Sequence, residues 1–157
     1  AGFTQQAFQW TADSKVDTTV YLSGLAGYTE STGTDVLSRV LSAADTTGIT
    51  EYIGLAINSD WWTNYANSAW LTSQATTANA LADDVYTNYG SHSSFGGWYI
   101  PFKVDNWNLT TTSRWSAMAT FYTTFANHLH ALTHGLPVII APFFNTAGGR
   151  RPGEPAR

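Results

Sequence analysis

The apolar and polar stretches of this chain alternate in a way that predicts strands and helices taking turns. Phe3 to Trp10 is a short, aromatic-rich run bounded by polar residues and reads as a strand. A polar stretch with Gly24, Gly27 and Gly33 then leads to Thr34-Asp35, which can cap a helix. In that helix Val36, Leu37, Val40, Leu41 and Ala44 form one apolar stripe, and Gly48 ends it in the manner of a left-handed C-cap. Glu51 to Ile57 reads as a buried strand. A second helix is predicted from Asn67 to Tyr89, with Trp70, Ala78, Leu81, Val85 and Tyr89 on one side, Asp83-Asp84 on a solvated face and Gly90 as its stop signal. Gly97 to Phe102 is the third strand. Thr110 to Thr112 offer caps for a third helix, where Trp115, Met118, Tyr122, Phe125, Leu129 and Leu132 recur at three- and four-residue steps. Gly135 closes it, and Leu136 to Ala141 is the fourth strand.

Strand, helix, strand repeated with crossovers of this length implies a parallel sheet with right-handed connections. An open doubly wound sheet would carry a Gly-rich phosphate turn after its first strand, as GxGxxG or GxxxxGK[ST], and neither pattern is present. The strands begin roughly 45 residues apart, so eight such units need on the order of 300 residues, the size of a (β/α)8 barrel. The expected fold class is therefore α/β, a partial (β/α)8 TIM barrel with about four parallel strands and three helices. Such a half barrel has two open edges and an uncovered inner face, which predict self-association of the isolated chain.

Composition narrows the class further. With 157 residues, 43% hydrophobic, 15% aromatic and 11% charged, the chain is too aromatic and too sparsely charged for a disordered, collagen-like or coiled-coil protein. No apolar run approaches the roughly 20 residues that span a bilayer, and no basic-then-apolar leader opens the sequence, so a soluble chain without a membrane partner is expected. The net charge is −4, and without residues 150–157, which hold three of the seven bases and one of the eleven acids, it is −6. That balance argues against nucleic acid or anionic lipid as a partner. The absence of cysteine excludes disulfides, thiolate zinc sites and a Cys nucleophile. No cofactor motif is present, and neither cofactor nor metal is expected.

In a barrel the chemistry sits in the loops after the C-terminal ends of the strands. Those positions are alike here. The first strand runs into Gln9-Trp10, the second into Asn58 and Asp60-Trp61-Trp62, the third into Lys103, Asp105, Asn106 and Trp107, and the fourth into Phe143-Phe144-Asn145. Carboxamides donate to and accept from hydroxyls, and aromatic faces stack on pyranose rings, so the set points to carbohydrate. The platforms would be Trp10, Trp61, Trp62 and Trp107, with hydroxyl contacts from Gln9, Asn58, Asp60, Asn106 and Asn145. Each Asn is equally an ordinary turn former or cap, and each Trp equally a core residue. Glycoside hydrolysis normally takes two carboxylates. Asp105 is the one local candidate for catalysis after the third strand, and no Glu lies near any strand end.

Other clusters carry less. His128, His130 and His134 gather at the end of the third helix, where the helix dipole alone favours them. Ser91, His92 and Ser93 lack the GxSxG elbow of a serine hydrolase. Asn108-Leu109-Thr110 is a glycosylation sequon.

Four strings are specific enough to carry a resemblance: FQWTADSKVDTTVYLSGLAGYTEST (8–32), GLAINSDWW (54–62), ANALADDVYTNYGSHSSFGGWYIPFKVDNWN (78–108) and PVIIAPFFNTAGG (137–149). Together they resemble domain-of-unknown-function family 4434, glycoside-hydrolase-like (β/α)8 barrels, with the WYIPF-VDN segment the most specific part. The resemblance implies a secreted, carbohydrate-active protein and covers residues 1–149, from about the second barrel strand to the fifth; residues 150–157, a Pro/Gly/Arg tail, fall outside it. It also implies that Asn58, Trp61, Trp62, Asp105, Asn106 and Asn145 line a site. At Lys103 the family pattern has Glu, the expected acid/base, so this chain is expected to be an inactive fragment of a carbohydrate-active barrel or a non-catalytic sugar-binding remnant. An ammonium is a poor acid toward a leaving group unless burial lowers its pKa by several units, but it suits an anionic sugar.

Overall fold

The structure is a computed structural model and describes residues 2–143. Its elements, in chain order, are β1 (Gln5–Phe8), β2 (Ala12–Asp13), β3 (Thr18–Thr19), β4 (Thr29–Glu30), α1 (Val36–Thr47), β5 (Thr50–Gly54), β6 (Ala56–Ile57), α2 (Trp61–Asn64), α3 (Ser68–Tyr89), β7 (Phe95–Ile100), α4 (Thr112–Leu132) and β8 (Val138–Ile140). Four strands form one sheet in the order β1-β5-β7-β8, and every pairing in it is parallel.

Because the order in space follows the order in sequence and never reverses, the sheet is wound in one direction only. A doubly wound sheet would reverse at a switch point. The crossovers α1, α3 and α4 contribute Leu37, Leu41, Ala78, Val85, Phe121, Phe125 and Leu129 to one core that also takes Ile53, Trp98 and Ile100 from the strands. This is the α/β architecture expected of part of a barrel.

The helix ends follow their cap residues. Asp35 accepts the Ser38 N–H at 2.8 Å, Asn67 accepts from Ala69 and Trp70, and Thr111 accepts from Arg114, so each satisfies donors that the first helical turn leaves open. Gly48 takes φ 71° and ends α1, as its position predicts.

Two features differ from expectation. The stretch from Glu51 to Ile57 is not one strand, because the chain changes sheets at Leu55. There Gly54 passes so close to the β1 end that a Cβ would sit 2.2 Å from the Gln9 carbonyl oxygen. Ala56 and Ile57 then pair with Ala12 and Asp13 in a second sheet, ordered β4-β3-β2-β6. In that sheet β2 and β6 follow the C-terminal ends of β1 and β5, and its two-residue strands are too short to show a period. The short helix α2 is likewise additional to the three helices expected.

Asp84 also corrects a reading. It is half-buried, not solvated, and its carboxylate accepts from the Tyr21 and Ser23 hydroxyls at 2.8 and 2.7 Å and from the Gly24 N–H at 3.1 Å. It ties the loop before α1 to α3. Burial, then the Asp84 charge beside it, pushes the Tyr21 hydroxyl far above its ordinary pKa.

Candidate functional site

At the C-terminal ends of β6, β7 and β8 lies a cavity of about 280 Å³. Ile57, Pro101, Phe102, Trp61 and Trp62 supply its apolar lining with Phe143, and Asp13, Asn58, Ser59 and Lys103 its polar lining. The two adjacent tryptophans do different work. Trp61 is 4% exposed, stacks on Phe102 at 4.7 Å between centroids and donates its indole N–H to the Lys103 carbonyl at 2.8 Å. It therefore clamps the loop after β7 onto the loop after β6. Trp62, the next residue of α2, is 50% exposed and lies 6.4 Å from the Phe143 ring at 32°. Trp62 and Phe143 are the aromatic surface a ligand would meet.

The rest of the cavity is built by long-range polar contacts. Asn58 is buried and donates to Ser14 Oγ at 3.0 Å, while its own Oδ1 accepts the Asp60 N–H at 3.0 Å. Ser14 in turn reaches Gln74 Oε1 of α3 at 2.9 Å. Lys15 pairs with Asp60 at 2.5 Å on the surface, latching the β2 turn to α2. Lys103 projects its ammonium over the Phe143 ring, 4.8 Å from the centroid. The Tyr122 hydroxyl donates to the Phe102 carbonyl, and burial raises that hydroxyl's pKa well above ordinary.

Residues 5–153 match the model of a family described as a domain of unknown function, DUF4434. The chain belongs to the DUF4434 family. Among solved structures, one match is described as a "putative alpha-L-fucosidase" from Bacteroides thetaiotaomicron, with a TM-score of 0.69 at 20% identity. It covers 88% of this DUF4434 chain, which spans 40% of that protein's length. At that identity the likeness establishes a common fold. No curated protein matches the sequence.

Within this DUF4434 chain the sequence-predicted residues fall into three groups. Trp62 and Lys103 line the cavity and remain accessible, with Trp10 and Trp107 exposed at 44% and 59% on flanking loops and Gln9 exposed beside Trp10. Asn58, Asp60 and Trp61 are used to build the cavity. Asp105 lies outside its lining: Oδ1 accepts the N–H groups of Trp107 and Asn108 at 2.8 and 2.6 Å, and Oδ2 accepts from the Asn108 amide at 2.8 Å. Those bonds shape the loop after β7, in which Asn106 is half-buried. The same contact commits the sequon residue Asn108. Phe144, Asn145 and the segment 150–157 lie outside the described residues.

The carboxylate that does line the cavity is Asp13, which the sequence reading passed over. Its signal was available, since it follows the first strand in the same way that Asp60 follows the second. Among the described residues no group of three or more His, Cys, Asp or Glu side chains comes together to hold a metal, and His128 turns to Asp83 at 2.8 Å. His92 is engaged by Asp45 at 2.7 Å, at the opposite end of the sheet from the cavity. No helix among the described residues is long and apolar enough to cross a membrane.

Proposed function

We propose that this chain is the sugar-contacting part of a glycoside-hydrolase-like barrel, and that by itself it binds carbohydrate without hydrolysing it. The observation that carries this reading is the cavity at the strand ends, where an exposed Trp62–Phe143 surface stands beside polar groups. Apolar faces for stacking with hydrogen-bonding groups at the edge are what a pyranose ring requires. A fold shared with a protein described as a fucosidase supports the same ligand class by analogy. Hydrolysis is disfavoured by the charges. A glycosidase places two carboxylates across the bond it cleaves, whereas the described lining of this cavity has Asp13 and, in place of a second acid, Lys103. Among the described strands β1 and β8 end the sheet, so self-association of the isolated chain belongs to this reading.

Calorimetric titration with a panel of oligosaccharides, alongside turnover assays on aryl glycosides, tests the proposal. Saturable binding that Trp62→Ala removes, with no turnover, is the expected result. Absence of binding across the panel overturns the carbohydrate reading. Turnover that Asp13→Ala or Asp105→Ala abolishes overturns the non-catalytic one.

A further inference from the structure

The cavity holds one positive charge, and that charge has no carboxylate partner among the described residues. Four basic residues precede residue 150. Lys15 is paired with Asp60, Arg114 donates to the Asn108 carbonyl at 2.9 Å beside the Tyr65 ring, and Arg39 lies on the exposed side of α1. Lys103 is half-buried in the cavity wall and takes part in none of the ion pairs. Withdrawing an ammonium from water without a counter-ion is unfavourable. The face of Phe143 offsets part of that through a cation–π contact. An anion carried in by a ligand would offset more, through a charge-assisted hydrogen bond.

The same Phe143 ring forms the aromatic surface with Trp62, so the apolar wall and the charge adjoin. A ligand that uses both must present an apolar ring face and an anionic group on one small unit. The volume, about 280 Å³, falls just below the usual range for small-molecule pockets and suits one ring rather than several. Asp13 sets the direction. Its Oδ1 accepts the Lys15 N–H at 2.9 Å, and its negative charge repels an anionic group while accepting hydroxyls, so the anionic end is driven toward Lys103.

We propose that the cavity takes a pyranose ring bearing an anionic group, a carboxylate or a sulfate, with the ring on Trp62 and Phe143 and the anionic group on the Lys103 ammonium. This rests on the carbohydrate reading above and narrows it to acidic sugars.

The test is calorimetric titration of the full chain with three oligosaccharides of equal length: one built on hexuronate, its neutral counterpart with CH2OH in place of the carboxylate, and the sulfated form of that neutral sugar. At low salt at least one acidic sugar should bind about tenfold or more tightly than the neutral one. The margin should shrink as salt is added. It should vanish in Lys103→Met and persist in Lys103→Arg, with both variants retaining the native circular dichroism. Which acidic arm binds identifies the anionic group. Equal affinity for all three sugars, or a margin that survives Lys103→Met, overturns the acidic-sugar proposal and leaves carbohydrate binding standing. No binding in any arm overturns both.

Discussion

The two ends of the main sheet use the same kinds of residue for different ends. At the N-terminal end, polar groups are consumed by the protein itself. Asp45, at the end of α1, accepts from His92 at 2.7 Å, from the Ser93 hydroxyl at 3.0 Å and from the Ser94 N–H at 2.7 Å, and so fastens α1 to the turn that begins β7. Nearby backbones run close, with Gly97 against Pro137. At the C-terminal end, Trp10, Trp62 and Trp107 stay exposed and Lys103 has no ion-pair partner among the described residues. The difference teaches that an end whose polar groups are mostly spent on internal contacts serves stability, while one that leaves aromatic faces and a charge unspent is where a ligand is to be expected.

Substitutions sharpen the contrast, beginning with the one of largest effect. Trp61→Ala removes a buried ring stacked on Phe102 together with a buried donor, and should cost about 4 kcal/mol of unfolding free energy in urea titration. An effect below about 1 kcal/mol would mean that Trp61 belongs to the ligand surface and not to the clamp. Gly97→Ala comes next. The residue has φ 146°, and an added Cβ would lie 2.3 Å from the Pro137 carbonyl oxygen, so a loss of about 3 kcal/mol is expected by the same measurement.

Smaller effects separate by pH. Its bonds to His92, then to Ser94 and Ser93, hold the Asp45 carboxyl well below its ordinary range. Its folded pKa is thus depressed, so its stabilisation is present above the unfolded value near pH 4 and is lost as the pH falls toward the folded one. Glu51 behaves in the opposite sense. It is 2% exposed, its Oε2 has no hydrogen-bond partner among the described residues, and burial raises its pKa. The unfolded chain ionises first, so Glu51 destabilises the fold increasingly above about pH 4. Melting temperatures across pH should therefore show Asp45→Asn lowering stability at neutral pH and converging on the native protein in acid. Glu51→Gln should raise stability at neutral pH, with the gain disappearing in acid. Parallel curves for either variant would contradict the assigned environment. The smallest effect on stability belongs to Trp62→Ala, expected within about 0.5 kcal/mol because the side chain is half exposed.

The contrast between Trp61 and Trp62 also shows where sequence reading stops. Winding, strand spacing and caps were legible because they are local: Asp35, Asn67, Thr111 and Gly48 act within a turn of their own position. Adjacent tryptophans carry no local mark of which one is core, since burial is decided by Phe102 and the Lys103 carbonyl, some forty residues on. Asp84 and Asn58 are similar. Their partners lie on elements far away in sequence, so a residue that reads as solvated or as site-lining is an internal anchor. Asp105 did have a local mark, because an Asp two and three residues before free N–H groups is an ordinary loop former. Asp13 carried the same local mark as Asp60, a position just past a strand end, but the two-residue strand β2 that turns it toward the cavity shows no period.

The most direct test of a carbohydrate site at the C-terminal strand ends is a heteronuclear NMR titration of the seven tryptophan indole N–H signals with an acidic oligosaccharide. Trp62 should shift most, with smaller changes at Trp61, whose indole is bonded within the cavity wall, and none at Trp98, which is fully buried among helices and strands. A titration that leaves Trp62 unmoved, or that moves Trp98 while Trp62 stays still, would contradict the account.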